Sequence, residues 1–228
     1  MTNGLKAYGV TPDVFKRISY RQGPDGLLAV VKNHHHVMED LTPVDIDDQL
    51  RMSSSVPFSQ SPFFLVVQGV EKPGNLGALF RNVDFFGASG ILVCDPVCEV
   101  FNTNVIRASQ GSVFTVPFAI KSYSQVMQYM EDKGITPYVS CASTDNPDQR
   151  EFNIRSLYDL DMTQSMGIVM GSEANGVSAG ILQDQRCRNF LTVPKSSQSV
   201  GVVDSLNVST AAAAILSEMN RQRSPSSS

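Results

Sequence analysis

Apolar and polar positions change rhythm near Phe63, and the elements they predict fall into two unequal parts. From Phe63 onward, short apolar runs alternate with stretches of helical spacing. FFLVVQG (63–69) reads as a buried strand, GNLGALFRNVDFFG (74–87) as a helix and GILVC (90–94) as the next strand. Within the helix Leu76, Leu79, Phe80 and Val83 recur at helical spacing, and Gly87 is a natural stop. The pattern then predicts a short helix near Asn104–Gln110, a helix over Ser122–Lys133 and a strand over Pro137–Cys141. Further strands are expected at Met166–Gly171 and Asn189–Pro194, with a short helix after Ser178 between them. The stretch Asp204–Leu216 reads as the start of a long C-terminal helix. Asp204, Ser205 and Asn207 are capping types in its first turn, and Ala211–Ala214 gives it a smooth flank. This order predicts an α/β domain with a mainly parallel sheet and helices on both faces. Ligands of such sheets bind beyond the carboxyl ends of the strands.

Residues 1–60 carry a different pattern and are expected to form an N-terminal appendage and linker. GLLAVVK (26–32) is apolar and β-branched enough for a strand, but too isolated to build a core. The passage Ser53–Pro62 has the Ser/Pro content of a linker. Residues 61–223 form the main domain, and SPSSS (224–228) is expected to be a disordered tail.

Composition narrows the function without naming it. In 228 residues, 42% hydrophobic content is enough for a sizeable core. A net charge of −4 carries no basic signature, so a nucleic-acid partner has to be argued from local residues. Cys94, Cys98, Cys141 and Cys187 are irregularly spaced, unlike the framework of a small secreted domain, and a reducing compartment is expected. The chain has no apolar run of about 18 residues and no signal-peptide pattern, so a soluble cytoplasmic protein is expected, an organelle being the alternative. No metal is expected. His34, His35 and His36 are consecutive and diverge in direction, while Cys94 and Cys98 lack a second pair at zinc spacing.

Three polar, glycine-containing segments follow strands, and all three can meet at one sheet edge: Glu71–Asn82, Gly171–Ser178 and the stretch after Val193 that leads to Ser205, Leu206 and Asn207. Gly69 and Gly74 bracket four residues as in a phosphate loop. Asn75 and Leu76, however, stand where that motif needs Lys and Ser/Thr, which argues against a nucleotide triphosphatase. No G-x-G-x-x-G follows a strand, which leaves a nicotinamide cofactor unsupported. Taken singly, the first two segments also read as ordinary turns, and Ser205 and Asn207 as ordinary helix caps. Their joint occurrence favours a shared site.

NLGALFRN, GSEANG and SLNVSTAAA, in this order and far apart, resemble the three motifs of the SpoU (TrmH-like) branch of the SPOUT methyltransferases, over roughly residues 63–222. The resemblance implies a deep C-terminal trefoil knot, an S-adenosylmethionine site at the knot, a homodimer, and methyl transfer to a ribose 2′-hydroxyl of tRNA or rRNA. Carried over by position, Asn75, Arg81, Glu173, Ser205 and Asn207 are the catalytic candidates. Gly171, Val193 and Leu206 match positions that contact the cofactor, and the region Ser140–Ser143 is expected to add to the adenine side. Arg81 takes the family's catalytic position. A guanidinium stays charged in almost every protein setting, so it suits phosphate binding and stabilisation of a developing alkoxide better than proton abstraction. RASQGSVF (107–114) is similar to a stretch near the substrate in the family, so that Arg107 reads either as an RNA contact or as a solvated helix arginine.

The chain departs from the family pattern twice. KSSQSVGVVD, between Pro194 and Ser205, is several residues longer than the usual link, which predicts altered cofactor affinity or a lid. The segment VFKRISYRQGPDGLLAVVK resembles only the end of the RNA-binding domain that many relatives carry, so residues 1–60 read as its remnant. The expected function is therefore S-adenosylmethionine-dependent 2′-O-methylation of structured RNA, with rRNA slightly favoured. The alternative is a non-catalytic module of the same fold that binds RNA or S-adenosylmethionine.

Overall fold

Apolar side chains on consecutive residues of one strand can be buried only if both faces of its sheet are covered, and β1 (Phe63–Gln68) meets that condition. Phe63, Leu65 and Val67 point into one core, Phe64 and Val66 into the other. A computed structural model of the chain describes residues 6–20, 23, 26–31, 45–53, 61–142, 153–172 and 176–224, with the side chains of residues 52 and 53 left aside. It divides into two compact units, Met1–Thr42 and Pro43–Ser228.

In the smaller unit, α1 (Pro12–Ile18) starts after Thr11, whose hydroxyl accepts from the Val14 N–H, and has Pro12 in its first turn. None of its residues is buried. Gly26–Val31, the described part of the strand expected over 26–32, pairs with no strand and leaves Leu27 and Val30 almost fully exposed. A lone apolar run has no ladder to complete, and its β-branched content cannot hold it extended.

The larger unit begins with α2 (Ile46–Ser53), which lies inside the stretch assigned above to appendage and linker. After β1 come α3 (Pro73–Phe86), β2 (Gly90–Cys94), α4 (Thr103–Ser109) and a 3-10 turn at Ser112–Phe114. These are followed by β3 (Phe118–Lys121), α5 (Tyr123–Asp132), β4 (Thr136–Cys141), β5 (Asn153–Ser156) and a second 3-10 turn at Leu157–Asp159. The unit closes with β6 (Met166–Met170), α6 (Ala179–Gln183), β7 (Asn189–Thr192) and α7 (Val208–Arg223). The seven strands form one sheet, ordered β3-β2-β1-β6-β4-β7-β5, and every pairing is parallel.

The helices cover the two faces as the strand alternation requires. On one, Leu76, Leu79, Phe80 and Val83 of α3 join Val105 of α4 and Ala212, Ile215, Leu216 and Met219 of α7. On the other, Val126, Met127 and Met130 of α5 join Ile181 of α6 and Ile46 and Leu50 of α2. Each fully buried large side chain contributes about 1.5–3 kcal/mol relative to exposure, so these two layers hold the sheet. Helix α3 ends at Gly87, which takes the left-handed conformation (φ 69°) and donates its N–H to the Val83 carbonyl. Helix α5 is opened by a capping box between Ser122 and Gln125. Helix α2 protects the sheet edge. Gln49 Oε1 accepts the N–H of Ile120 on edge strand β3 at 2.9 Å, and Asp47 takes hydrogen bonds from Tyr129 of α5 and from its C-cap Lys133.

The C-terminal helix starts later than the pattern predicts. Its N-cap is Asn207, whose Oδ1 accepts from the Ser209 N–H, so Asp204 and Ser205 lie before the helix in an extended loop. Asn207 supplies the side-chain cap, so the two earlier capping types are not used for it.

Candidate active site

Strands β6 and β7 send their carboxyl ends to the same rim, and the chain there turns twice to enclose a hollow. After β6, Gly171 leads into a loop closed by reciprocal backbone hydrogen bonds between Ser172 and Gly176, at 2.8 and 3.0 Å. A Cβ on Gly171 would collide with the Gly176 carbonyl, so this closure requires glycine. The loop leaves through Ser178, whose hydroxyl donates to Gln68 Oε1 at the end of β1 (2.9 Å). After β7 the chain runs through Val193 and Pro194 into the long link expected to be an insertion. A turn at Ser196–Ser199 folds it, and Lys195 Nζ donates to the Val203 carbonyl at 2.7 Å. Between these loops and the start of α7 lies a cavity of about 600 Å³, within the range of small-molecule sites. Ser140 and Cys141 from β4 form another wall, and Leu206, Val208 and Ala211 supply apolar surface.

Burial pushes the Cys141 thiol up to about 11, and its Sγ donates to the Leu191 carbonyl, so it is a neutral wall group at physiological pH. The cysteines are all free thiols. Among the described residues, no group of three His, Cys, Asp or Glu side chains is placed to hold a metal ion; the three histidines lie outside them.

A second hollow, an open groove of about 450 Å³, runs between α3 and α4. Pro73, Gly74 and Arg81 form one side, and Asn104, Arg107 and Ala108 the other. The helices approach closely because Gly77 faces Ala108 and the backbone of Val105 and Ser109. Two guanidinium groups thus edge the groove, and among the described residues no acid lines it.

One hydrogen bond links the helix starts that lie next to the two hollows. Asn207 Nδ2 donates to Asn75 Oδ1 at 3.2 Å, tying the cap of α7 to the first turn of α3. Two turns further along α3, Asn82 Nδ2 donates to the Ser209 carbonyl at 2.8 Å. Of the residues singled out in the sequence, Gly171, Val193, Ser205 and Leu206 line the cavity, Asn75 and Asn207 form the junction, and Arg81 and Arg107 share the groove. Glu173 lies outside the described residues, as does Ser143 of the stretch expected on the adenine side. The sequence reading passed over Gln68, Asn82 and Lys195. Only Gln68 carried a signal, as the one polar residue closing an otherwise apolar strand run.

Comparison with known proteins relates the larger unit to one family. The profile of the SpoU rRNA Methylase family matches residues 62–217. The chain is 30% identical over 168 residues to YacO, a TrmH-family protein of Bacillus subtilis, which covers 73% of this chain and 61% of YacO. It is 31% identical over 199 residues to the 23S rRNA (guanosine-2′-O-)-methyltransferase RlmB of Vibrio cholerae, covering 87% of this chain and 70% of that one. Among solved structures, the SpoU methyltransferase AviRb from Streptomyces viridochromogenes in complex with AdoMet matches with a TM-score of 0.63 and 26% identity, over 74% of this chain and 63% of AviRb. The chain thus spans between about three fifths and seven tenths of the length of these relatives.

Proposed function

The chain belongs to the SpoU rRNA methylase family, and from that premise we propose that it transfers the methyl group of S-adenosylmethionine to a ribose 2′-hydroxyl of structured RNA. Ribosomal RNA is the favoured substrate, since the Vibrio cholerae relative is named for 23S rRNA. The observation that carries the reading is the Asn207–Asn75 hydrogen bond, whose partners are chain neighbours of Leu206 and Val208 in a cavity of small-molecule size and of Gly74 in a groove edged by two arginines. A methyl donor in the first and a ribose–phosphate chain in the second would meet at that junction.

The cavity residues fit the cofactor. Val193, Leu206, Val208 and Ala211 offer apolar walls to a flat purine, and the backbone at Gly171, Val193 and Leu206 offers polar groups to its edge. When bound there, S-adenosylmethionine supplies an activated methyl group on sulfonium. The protein's part is positioning, which for an in-line transfer supplies much of the acceleration. Asn75 and Asn207 hold the junction, with Ser205 and Glu173 as the further polar groups the family pattern assigns to it. Arg81 binds a substrate phosphate and stabilises negative charge on the ribose oxygen, whose proton leaves to that phosphate or to water. Arg107, across the groove, takes a second phosphate.

Three further elements belong to this reading. The homodimer and the trefoil knot follow from the family, and the strand order supports the knot: β6 sits between the earlier β1 and β4, and β7 between the earlier β4 and β5. The smaller unit, Met1–Thr42, adds contacts to RNA, and the cytoplasm is the working compartment. Among the described residues no helix is long and apolar enough to cross a membrane.

Incubation with labelled S-adenosylmethionine and total rRNA or tRNA, followed by mapping of nucleotides that resist alkaline cleavage, tests the proposal. Transfer to defined 2′-positions supports it. Cofactor binding with no transfer to any RNA would replace it with the binding-module alternative.

A further inference from the structure

The long link between β7 and α7 does more to the cavity than lengthen its rim. It contributes Lys195 and Asp204, which among the described residues are the only charged side chains lining the cavity. Lys195 Nζ is tied to the Val203 carbonyl at 2.7 Å, and Asp204 is the next residue in the chain. The clasp therefore brings an ammonium to the neck of the loop beside the residue that carries the carboxylate. An ammonium has three protons, and the Val203 carbonyl takes one. Among the described residues Lys195 and Asp204 form no ion pair with each other or with another side chain. The two charges lie on one neck, both line the cavity, and neither is paired with a charge among the described residues.

A ligand that matches them carries a carboxylate and an ammonium close together, which describes the free α-amino acid group. Resting on the cofactor reading above, we infer that Lys195 and Asp204 recognise the amino-acid end of S-adenosylmethionine, Lys195 binding its α-carboxylate and Asp204 its α-ammonium. The remaining walls suit the other end of the molecule, because Val193, Leu206, Val208 and Ala211 are apolar and Ser140 is uncharged. The insertion then acts as a specificity element. It separates ligands with an amino-acid tail from those with the same nucleoside and none, and its Lys195 clasp fixes the recognising charges before binding.

Two neutral thioethers that differ in this tail make the test: S-adenosylhomocysteine and 5′-methylthioadenosine, titrated by calorimetry into the full-length protein and its variants. The wild type should prefer S-adenosylhomocysteine. Lys195→Gln and Asp204→Asn should each weaken S-adenosylhomocysteine about fivefold while leaving 5′-methylthioadenosine unchanged, and Lys195→Arg should keep the preference. Equal weakening of both ligands, or no change in either, would overturn the inference, because the charges would then shape the loop or stand aside. If neither ligand bound the wild type, the cofactor reading itself would fall and this inference with it.

Discussion

Arg81 separates binding from chemistry at the scale of one residue, because it edges the groove and is absent from the described cavity lining. Arg81→Lys keeps the charge and loses the planar fork that grips a phosphate. Its turnover should fall about a hundredfold while S-adenosylmethionine affinity by calorimetry stays level, and near-normal turnover would remove Arg81 from the proposed role. Asn207 has two separable duties. Its Oδ1 caps α7 and its Nδ2 reaches Asn75, so Asn207→Asp keeps the cap and discards the link. Thermal unfolding of that variant should match the wild type, whereas Asn207→Ala should lose about 1 kcal/mol of stability, and both should methylate poorly. These residues were legible in the sequence because polar side chains inside otherwise apolar, glycine-bearing segments are conspicuous and their motifs resemble a known family. Asn82 was not legible. Its partner, the Ser209 carbonyl, lies 127 positions away and is set by the packing of α3 on α7, which no local pattern encodes.

Among the elements, α3 and α4 are held together by the absence of one side chain. A Cβ at position 77 would press on Ala108 and on the backbone of Val105 and Ser109, and backbone cannot rotate out of the way. Gly77→Ala should destabilise the protein by about 1–3 kcal/mol in denaturant titration, and should weaken RNA more than cofactor by moving Arg81 relative to Arg107. The end of α7 carries a pH dependence. Hydrogen bonds from Arg221 and Gln222 hold the Glu218 carboxylate down to about 2, below its ordinary 4.5. A carboxylate whose folded pKa is depressed stabilises the protein at pH above the ordinary value, and that contribution is lost as pH falls from about 4.5 toward 2. Glu218→Gln should flatten acid unfolding over that window, and an unchanged slope there would assign it to other carboxylates. The apolar runs of β1 and β6 and the helical spacing of α3 were readable in the sequence. The edge strands β3 and β5 were not, since β3 has only a short, partly buried run and the exposed Asn153 and Arg155 of β5 read as loop. Helix α2 has acidic residues at Asp47 and Asp48 that mask its apolar side, while Ile46, Gln49 and Leu50 do the packing.

For the whole molecule, alternating strands and helices implied the sheet and its two covered faces, but not that β6 lies beside β1 and β7 beside β5. Neighbour order depends on crossovers that periodicity does not record, so the resemblance to a known family was needed to anticipate anything beyond the layer architecture. The two compact units make the final prediction. The unit Pro43–Ser228 contains all seven strands and both apolar cores, while in the other α1 buries nothing and Tyr8, Tyr20, Leu27 and Val30 are exposed. Stability resides where apolar area is buried, so deleting residues 1–42 should leave the unfolding midpoint of the larger unit within a few degrees of the full chain. Its S-adenosylmethionine affinity should also hold, because every described lining residue of the cavity remains. If the first unit contacts RNA, the same deletion should weaken binding to structured rRNA severalfold in filter or fluorescence assays and shallow its salt dependence, since Lys6, Lys16 and Arg17 are lost with it. Equal RNA affinity in the truncated and full chains would assign recognition to the groove between Arg81 and Arg107, with the first unit serving some other purpose.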